Sequence, residues 1–334
     1  MSNRKGVSVI ICCYNSESRL PLTIEYLAKQ AVSAELEWEI IIVDNNSTDS
    51  TASVAIQEWE KYNRINVSLK VILEPVSGLS SARKAGVNAS SYEYIIFCDD
   101  DNWLQSDYVN NAFSFMENTD HAEIGIIGGK NLFVADVPKP TWFDRYSCCY
   151  AIGEPSDSTA DITETVGMVC GAGMVIRKKI INEIYHRFNM QASDRKGDSL
   201  VAGGDWEICF LARFMRFRIW YYDALVLHHF MTPNRLTINY LKKLHYSFGL
   251  SDVFNWHYFI YKDNKSLHRV HVIHLIFSQI RPLISSYLQM VFSKDKLGYT
   301  LLNLIARGKI LGLIKNGHIV NDNYKQLQKE FGER

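Results

Sequence analysis

The sequence predicts an α/β chain: a doubly wound, mostly parallel sheet over residues 1–235, followed by a helical C-terminal region over 236–334. Three observations carry that prediction. Short apolar runs at 7–13 (VSVIICC), 39–43 (EIIIV) and 94–98 (YIIFC) have the length and β-branched content of strands buried on both faces. Segments with helical spacing separate them, and strands that alternate with helices build parallel sheets. After Leu236 the strand pattern stops and helical spacing takes over.

In order, strand 7–13 ends at a turn, Tyr14-Asn15-Ser16. Leu20, Ile24, Leu27, Ala28 and Ala31 then mark an amphipathic helix with Pro21 in its first turn. Strand 39–43 stops at Asp44-Asn45-Asn46-Ser47-Thr48-Asp49, which is rich in capping side chains. Ala52, Ala55, Ile56 and Trp59 give the second helix, and alternation at Val67, Leu69, Val71 and Leu73 the third strand. Ser77-Gly78-Leu79-Ser80 opens a small-residue helix through Ala82, Ala85 and Ala89. The fourth strand runs straight into Asp99-Asp100-Asp101; Val109, Ala112, Phe113 and Met116 follow as a helix, and 124–127 as a strand. From Gly128 to about Val166 the pattern breaks into a long loop excursion. Regular structure returns at 171–177, a polar loop covers 191–199, and a helix runs from about 203 to 216. Residues 218–222 and 224–227 are strand-like and end at His228-His229.

Composition narrows the function. A formal net charge of zero argues against a general nucleic-acid binder. The apolar run after the N-terminal residues is too short for a signal-peptide core. Seven cysteines, with adjacent pairs at Cys12-Cys13 and Cys148-Cys149 and no Cys-x-x-Cys, fit a reduced, cytoplasmic chain. No G-x-G-x-x-G follows the first strand, which disfavours a NAD(P) dehydrogenase.

Three consecutive carboxylates at the end of a buried strand repel one another and lose solvation. A divalent, oxygen-preferring cation such as Mn²⁺ or Mg²⁺ is the simplest compensation, because it accepts one or two carboxylates and completes its shell with phosphates and water. In extended backbone Asp99 and Asp101 share a face and Asp100 points away. Asn15, Asp44 and Asp99 to Asp101 all fall at carboxyl ends of predicted strands. Ligands of doubly wound sheets sit there, at the topological switch point.

With these residues in place, the chain resembles the family 2 glycosyltransferases of GT-A fold, of the bacterial polysaccharide type. The motifs that carry the resemblance, in order, are VSVIICCYNSESRL, IIVDNNSTDST, SGLSSARKAG, YIIFCDDDNW, CGAGMVIR, GGDWEI and LVLHHF, over roughly Val7 to Gly249. The resemblance implies transfer of a sugar, with inversion, from a nucleoside-diphosphate sugar (a UDP-sugar favoured) to a hydroxyl of a glycan or lipid-linked acceptor. It implies that Tyr14, Asn15, Glu17, Asp44, Arg83, Asp99 and Asp100 line the nucleotide-sugar site. Asp99, Asp101 and His229 (His228 being the alternative) would hold Mn²⁺ or Mg²⁺, and Asp205 would be the general base. Gly171-Ala172-Gly173 would let the sugars approach the backbone. Two departures stand out: Lys84 where the family often has Asn, and Gly204 where it often has Glu, with Glu207 as the substitute base.

Plainer roles stay open at this stage. Asp44, Asp49 and Asp205 are also suited to helix caps, Arg83 to an ion pair, His229 to a backbone hydrogen bond, and Trp142 and Trp206 to core packing. A catalytically degenerate sugar-nucleotide-binding or scaffolding relative is the main alternative. A nucleotidyltransferase is weaker, because the turn after the first strand lacks a glycine-rich basic loop. In the C-terminal region, Lys262 to Lys315 holds six lysines and three arginines against Asp263 and Asp295. An apolar stripe there (Ile273, Ile276, Phe277, Ile280, Ile284, Tyr287, Leu288, Val291) predicts either a helix lying in an anionic membrane interface on the cytoplasmic face or a packing and homodimer surface.

Overall fold

A computed structural model of the chain describes residues 4–188, 190, 200–263 and 271–332. The polar loop expected at 191–199 lies outside them. The described residues divide into two compact units, one of Met1–Asn189 with Ile208–Pro233 and the other of Met190–Glu207 with Asn234–Arg334. The segment carrying Asp205 thus groups with the helical unit, although the sequence assigns it to the sheet.

The first unit is built on β1 (Arg4–Cys13), α1 (Leu20–Ala28), β2 (Trp38–Asp44), α2 (Thr51–Glu60), β3 (Ser68–Leu73), α3 (Leu79–Ala89) and β4 (Tyr92–Asp99). These four strands are parallel, in the order β3-β2-β1-β4. The chain winds outward from β1 to β3, then returns to the other side of β1 with β4, so the switch point lies between β1 and β4. Every residue of β2 is buried, and Val7, Val9, Ile10 and Ile11 of β1 are fully so. That is why these strands read as unbroken apolar runs. The edge strand β3 alternates instead.

Beyond β4 the sheet becomes mixed. The three-residue β5 (Asn102–Leu104) leads to α4 (Tyr108–Glu117) and β6 (Ile124–Val134). A 3₁₀ turn at Asp144–Tyr150, the short β7 (Ala160–Asp161), β8 (Val175–Arg177), α5 (Lys178–Arg187), α6 (Gly204–Phe214) and β9 (Arg218–Phe230) follow. β8 lies antiparallel between β4 and β6, β9 runs parallel to β6, and β5 and β7 both pair antiparallel with β9. Three departures from the sequence reading have local causes. β6 continues seven residues past Ile127, to Val134, because β9 offers it a full-length partner despite its Gly128-Gly129 bulge. The two strand-like runs after Arg218 are one strand, since Asp223 stays extended between them. Helix α5 was hidden because only Ile180, Ile181 and Ile184 of its ten residues are apolar and buried.

The second unit contains α7 (Ile238–Asp263), α8 (Val272–Phe292) and α9 (Lys296–Phe331). Helices α7 and α9 approach backbone to backbone: a methyl group on Gly249 would lie 2.2 Å from the Ile305 carbonyl oxygen. Asn303 of α9 donates to the Leu283 carbonyl and to Ser286 of α8, both at 3.1 Å. Asp295 caps α9 by accepting from the Gly298 N–H at 3.0 Å. By length and composition α9 is apolar enough to cross a membrane. Its Leu301, Ala306, Leu313 and Val320 are nevertheless buried within the unit, as in the central helix of a bundle.

Candidate active site

The carboxyl ends of β1, β2 and β4 converge because the strands are in register: Cys13 lies opposite Asp44, and Cys12 opposite Asp99. Asn15 turns the chain out of β1 with φ 48°, a left-handed conformation that asparagine tolerates. Its N–H donates to Ser47 Oγ at 3.0 Å and its side-chain oxygen accepts from the Thr48 N–H at 2.8 Å. Asp44 is buried, and its carboxylate accepts from the Ser47 N–H at 3.1 Å. Asn45, which sequence reasoning passed over, donates to the Glu74 and Val76 carbonyls at 3.0 and 2.7 Å and accepts from the Gly78 N–H at 2.7 Å. These bonds stitch the three βα loops into one rim. The Tyr14 ring on that rim is 48% exposed.

Glu17 is tied to the start of α2. Its carboxylate accepts from the Ser50 N–H at 2.9 Å, at the start of α2, while its own N–H donates to Asp49 at 3.1 Å. Asp49 also accepts from the Thr51 N–H at 3.1 Å. Burial would raise the Asp49 carboxyl, but hydrogen bonds from Thr51 and Glu17 hold it below its usual value. Both acids serve the helix start.

The three consecutive aspartates are separated by a turn, not by strand alternation. β4 ends at Asp99 and β5 begins at Asn102. The buried Asn102 side chain pins this turn, accepting from the Asp99 N–H and donating to Asp101 Oδ1, both at 3.1 Å. Asp100 turns toward α1. Its carboxylate accepts from Arg19 Nη2 at 2.6 Å and from the Ser16 hydroxyl, and its carbonyl oxygen accepts from Thr23 at 2.8 Å. Burial and then Asp101 push the Asp100 carboxyl up, with Arg19 and Ser16 pulling it back. Asp100 is therefore tied into the wall of the crevice. Asp101 turns toward β9, where Asn102 pairs with His229 in register. His229 Nε2 lies 3.4 Å from Asp101 Oδ1, and the Phe230 N–H donates to the Asp101 carbonyl at 2.9 Å. The buried His229 Nδ1 has no hydrogen-bond partner among the described residues. The half-buried Asp99 carboxylate also makes no hydrogen bond or ion pair there.

Among the described residues no three His, Cys, Asp or Glu side chains close on one point, so the expected set of Asp99, Asp101 and His229 is not a complete protein cage. The pair Asp101–His229 is preformed, with Asp99 one turn away. That donor set fits Mn²⁺ or Mg²⁺, which need few protein ligands when phosphates supply the rest. It would not suit a structural zinc, which wants four.

Arg83 is buried in α3 with its guanidinium 5.2 Å from the centre of the Phe97 ring of β4. A methyl group on Gly171 would sit 2.3 Å from Arg83 Nη2, so a side chain there would make the guanidinium shift. Gly173, at φ 76°, then donates to the Phe97 carbonyl at 2.9 Å and accepts from the Tyr108 hydroxyl at 2.6 Å. The small residues thereby seal the wall beside β4.

Asp205 lies in the first turn of α6, partly exposed, and its carboxylate accepts from the Trp206 N–H at 2.9 Å. It belongs to the helical unit, and the residues above belong to the sheet unit. Glu207, the substitute base, is 1% exposed and accepts from the Tyr258 hydroxyl at 2.8 Å, so it is a buried packing group. Trp206 packs near Phe259, with ring centres 6.3 Å apart, and Trp142 near Phe143 and Tyr150.

Comparison with known proteins agrees with this architecture. Poly(ribitol-phosphate) beta-N-acetylglucosaminyltransferase TarS of Staphylococcus aureus (strain Mu50) is 28% identical over 133 residues, 40% of this chain and 22% of that protein. The cholesterol galactosyltransferase of Borreliella burgdorferi is 35% identical over 101 residues, 30% of this chain and 26% of that one. The matches thus span about a fifth to a quarter of these relatives' own length. Among solved structures, residues 1–349 of S. aureus TarS superpose with a TM-score of 0.50 at 17% identity, covering 93% of this chain and 92% of that one. The mannosyltransferase PcManGT from Pyrobaculum calidifontis, in complex with GDP-Man and Mn²⁺, gives 0.56 at 13% identity, covering 94% and 89%. The family model for glycosyl transferase family 2 matches residues 8–185, just over half of the chain, so the chain belongs to glycosyl transferase family 2 and adopts the GT-A fold.

Proposed function

We propose that the chain transfers a glycosyl group, with inversion, from a nucleoside-diphosphate sugar to a hydroxyl of a glycan or lipid-linked acceptor. The observation that carries this reading is the meeting of the loops after β1, β2 and β4 in one crevice, with the Asp101–His229 pair at its β4 end. In this reading the exposed Tyr14 ring and Asp44 meet the base, with Asn15 holding their loops together. The Asp99 carboxylate approaches the ribose, and Arg83 backs the wall beside the diphosphate. Asp101 and His229 would hold Mn²⁺ or Mg²⁺, with Asp99 beside them. Such a cation, when bound, would stabilise negative charge on the leaving diphosphate. UDP is the favoured nucleotide, since TarS has been crystallised with UDP-GlcNAc; PcManGT, with GDP-Man, is the counterexample to test.

The acceptor hydroxyl must lose its proton as it attacks, which calls for a carboxylate within hydrogen-bond reach. Asp205, where the family resemblance puts the base, takes that role, and Glu207 is buried against Tyr258. The proton passes from the hydroxyl to the Asp205 carboxylate as the new glycosidic bond forms and the bond to the diphosphate breaks.

A thermal-shift series with UDP, GDP and CDP, each with and without Mn²⁺, tests donor binding by mass action. Release of nucleoside diphosphate from the preferred donor in the presence of acceptor tests transfer. Binding without release would make the chain a catalytically degenerate relative, and no metal-dependent shift with any of the three would sink the donor site.

A further inference from the structure

Helix α8 presents an exposed apolar face. Six large apolar side chains on one face of it, Ile273, Phe277, Ile284, Tyr287, Leu288 and Val291, are each more than half exposed. They recur at helical spacing and form a continuous patch on the order of 700 Å², larger than soluble monomers ordinarily expose. The opposite face is already used, since Ser286 is buried and the Leu283 carbonyl accepts from Asn303 of α9. With its inner face packed on α9, the exposed apolar outer face calls for a cover of its own.

Charge says what covers the outer side. Between Asp263 and Asp295 the sequence has no acidic residue, but it has Lys265, Arg269, Arg281 and Lys294, with Lys296 just beyond. Arg281 lies at the rim of a shallow groove of about 530 Å³ that Phe277, Ile280, Ile284 and Leu288 also line. A cation beside a row of apolar side chains matches a phospholipid interface, with anionic headgroup above and acyl chain below. A second copy of the chain fits less well. Two α8 helices (Val272–Phe292) paired antiparallel about their common midpoint would bring two Arg281 guanidiniums together at the centre of an apolar contact.

We propose that the outer face of α8 docks in the interface of a membrane rich in anionic phospholipid, the helix lying flat with Phe277 and Ile284 inserted and Arg281 at headgroup level. The claim stands on the helix alone. Only its consequence, that the acceptor is carried by the same membrane, rests on the transferase reading above.

The test is flotation of the full chain with vesicles of phosphatidylcholine alone and with rising phosphatidylglycerol. Wild type should bind in proportion to anionic lipid and release as salt rises. Phe277→Glu and Ile284→Glu should each weaken binding about tenfold or more, because a carboxylate would enter the interface. Arg281→Glu should remove most of the preference for phosphatidylglycerol, roughly tenfold. All three positions are solvent-exposed, and an unchanged melting temperature would show that the variants fold. Failure of wild type to float on any vesicle overturns the proposal. So does a dimer by light scattering that Phe277→Glu converts to monomer with no lipid binding, which would assign the face to a second copy. A Mn²⁺-dependent nucleotide shift measured on the same samples keeps the two readings apart, since either can fail while the other stands.

Discussion

Replacing Arg19 by methionine keeps the aliphatic bulk of the side chain and removes the charge that faces Asp100. In the folded chain Arg19 Nη2 is 2.6 Å from Asp100 Oδ2, with the side chains 28% and 13% exposed. Breaking a fully buried pair costs about 3–5 kcal/mol, because the surviving charge is left without compensation. Partial exposure of both partners screens some of that, so about 2–3 kcal/mol is expected here. The pH dependence follows from the sign. Burial and Asp101 already raise the Asp100 carboxyl in the folded state, and Arg19 is the main counterweight. A carboxyl whose folded value lies above its unfolded value favours folding in acid, and loses that contribution as pH rises through the folded value. The variant's deficit is therefore greatest near neutral pH and shrinks on acidification. The assay is urea unfolding at pH 7.5 and pH 5 for Arg19→Met, Asp100→Asn and the double variant. The double variant should be more stable than the sum of the single effects predicts, by about 1–2 kcal/mol. Strict additivity, or an Arg19→Met change below about 0.5 kcal/mol, would refute the claim that Asp100 is held as a structural carboxylate.

Three further outcomes follow from the same geometry. Asp101→Asn should abolish the Mn²⁺-dependent part of the nucleotide thermal shift while changing the metal-free melting temperature little, since it relieves repulsion with Asp100; an undiminished Mn²⁺ effect would remove Asp101 from the cation site. Asp205→Asn should lower the transfer rate by roughly 10²–10⁴ with donor binding retained, whereas Glu207→Gln should chiefly cost stability, about 1–2 kcal/mol, through its bond to Tyr258; the reverse ranking in rate would move the base to Glu207. His257 is 1% exposed, and burial pushes its imidazole down from 6.5 to about 3. It folds neutral, so its contribution is complete above about pH 6.5 and is lost as pH falls toward 3, by up to about 4 kcal/mol. His257→Phe should flatten the decline in stability between pH 6.5 and 4 relative to wild type, and equal slopes would count against the assignment.

How much of this was legible in the sequence depends on where the determining partner sits. The central strands were legible because burial on both faces leaves a local signature, as at Ile40 to Val43, that needs no knowledge of neighbours. The site loops were legible for a related reason: Asn15, Asp44 and Asp99 stand directly after such runs, and a parallel sheet sends all strand ends to one side. What stayed hidden was decided by partners far away in the chain. Nothing around Arg19 announces that it will meet Asp100, 81 residues later, and alternation in an extended segment separates Asp100 from Asp101 on the wrong grounds. Asn102 makes the turn that separates them, and its role appears only once β5 has found β9. The same logic covers Glu207. On sequence spacing it competes with Asp205 as a base, and only the arrival of Tyr258 from α7 removes it. Neighbouring acids that look alike in sequence thus differ in the partners the fold gives them. Asp100, Glu17, Asp49 and Glu207 bond to Arg19, helix starts and Tyr258; among the described residues the Asp99 carboxylate has no such partner, and Asp101 faces an imidazole whose second nitrogen has none.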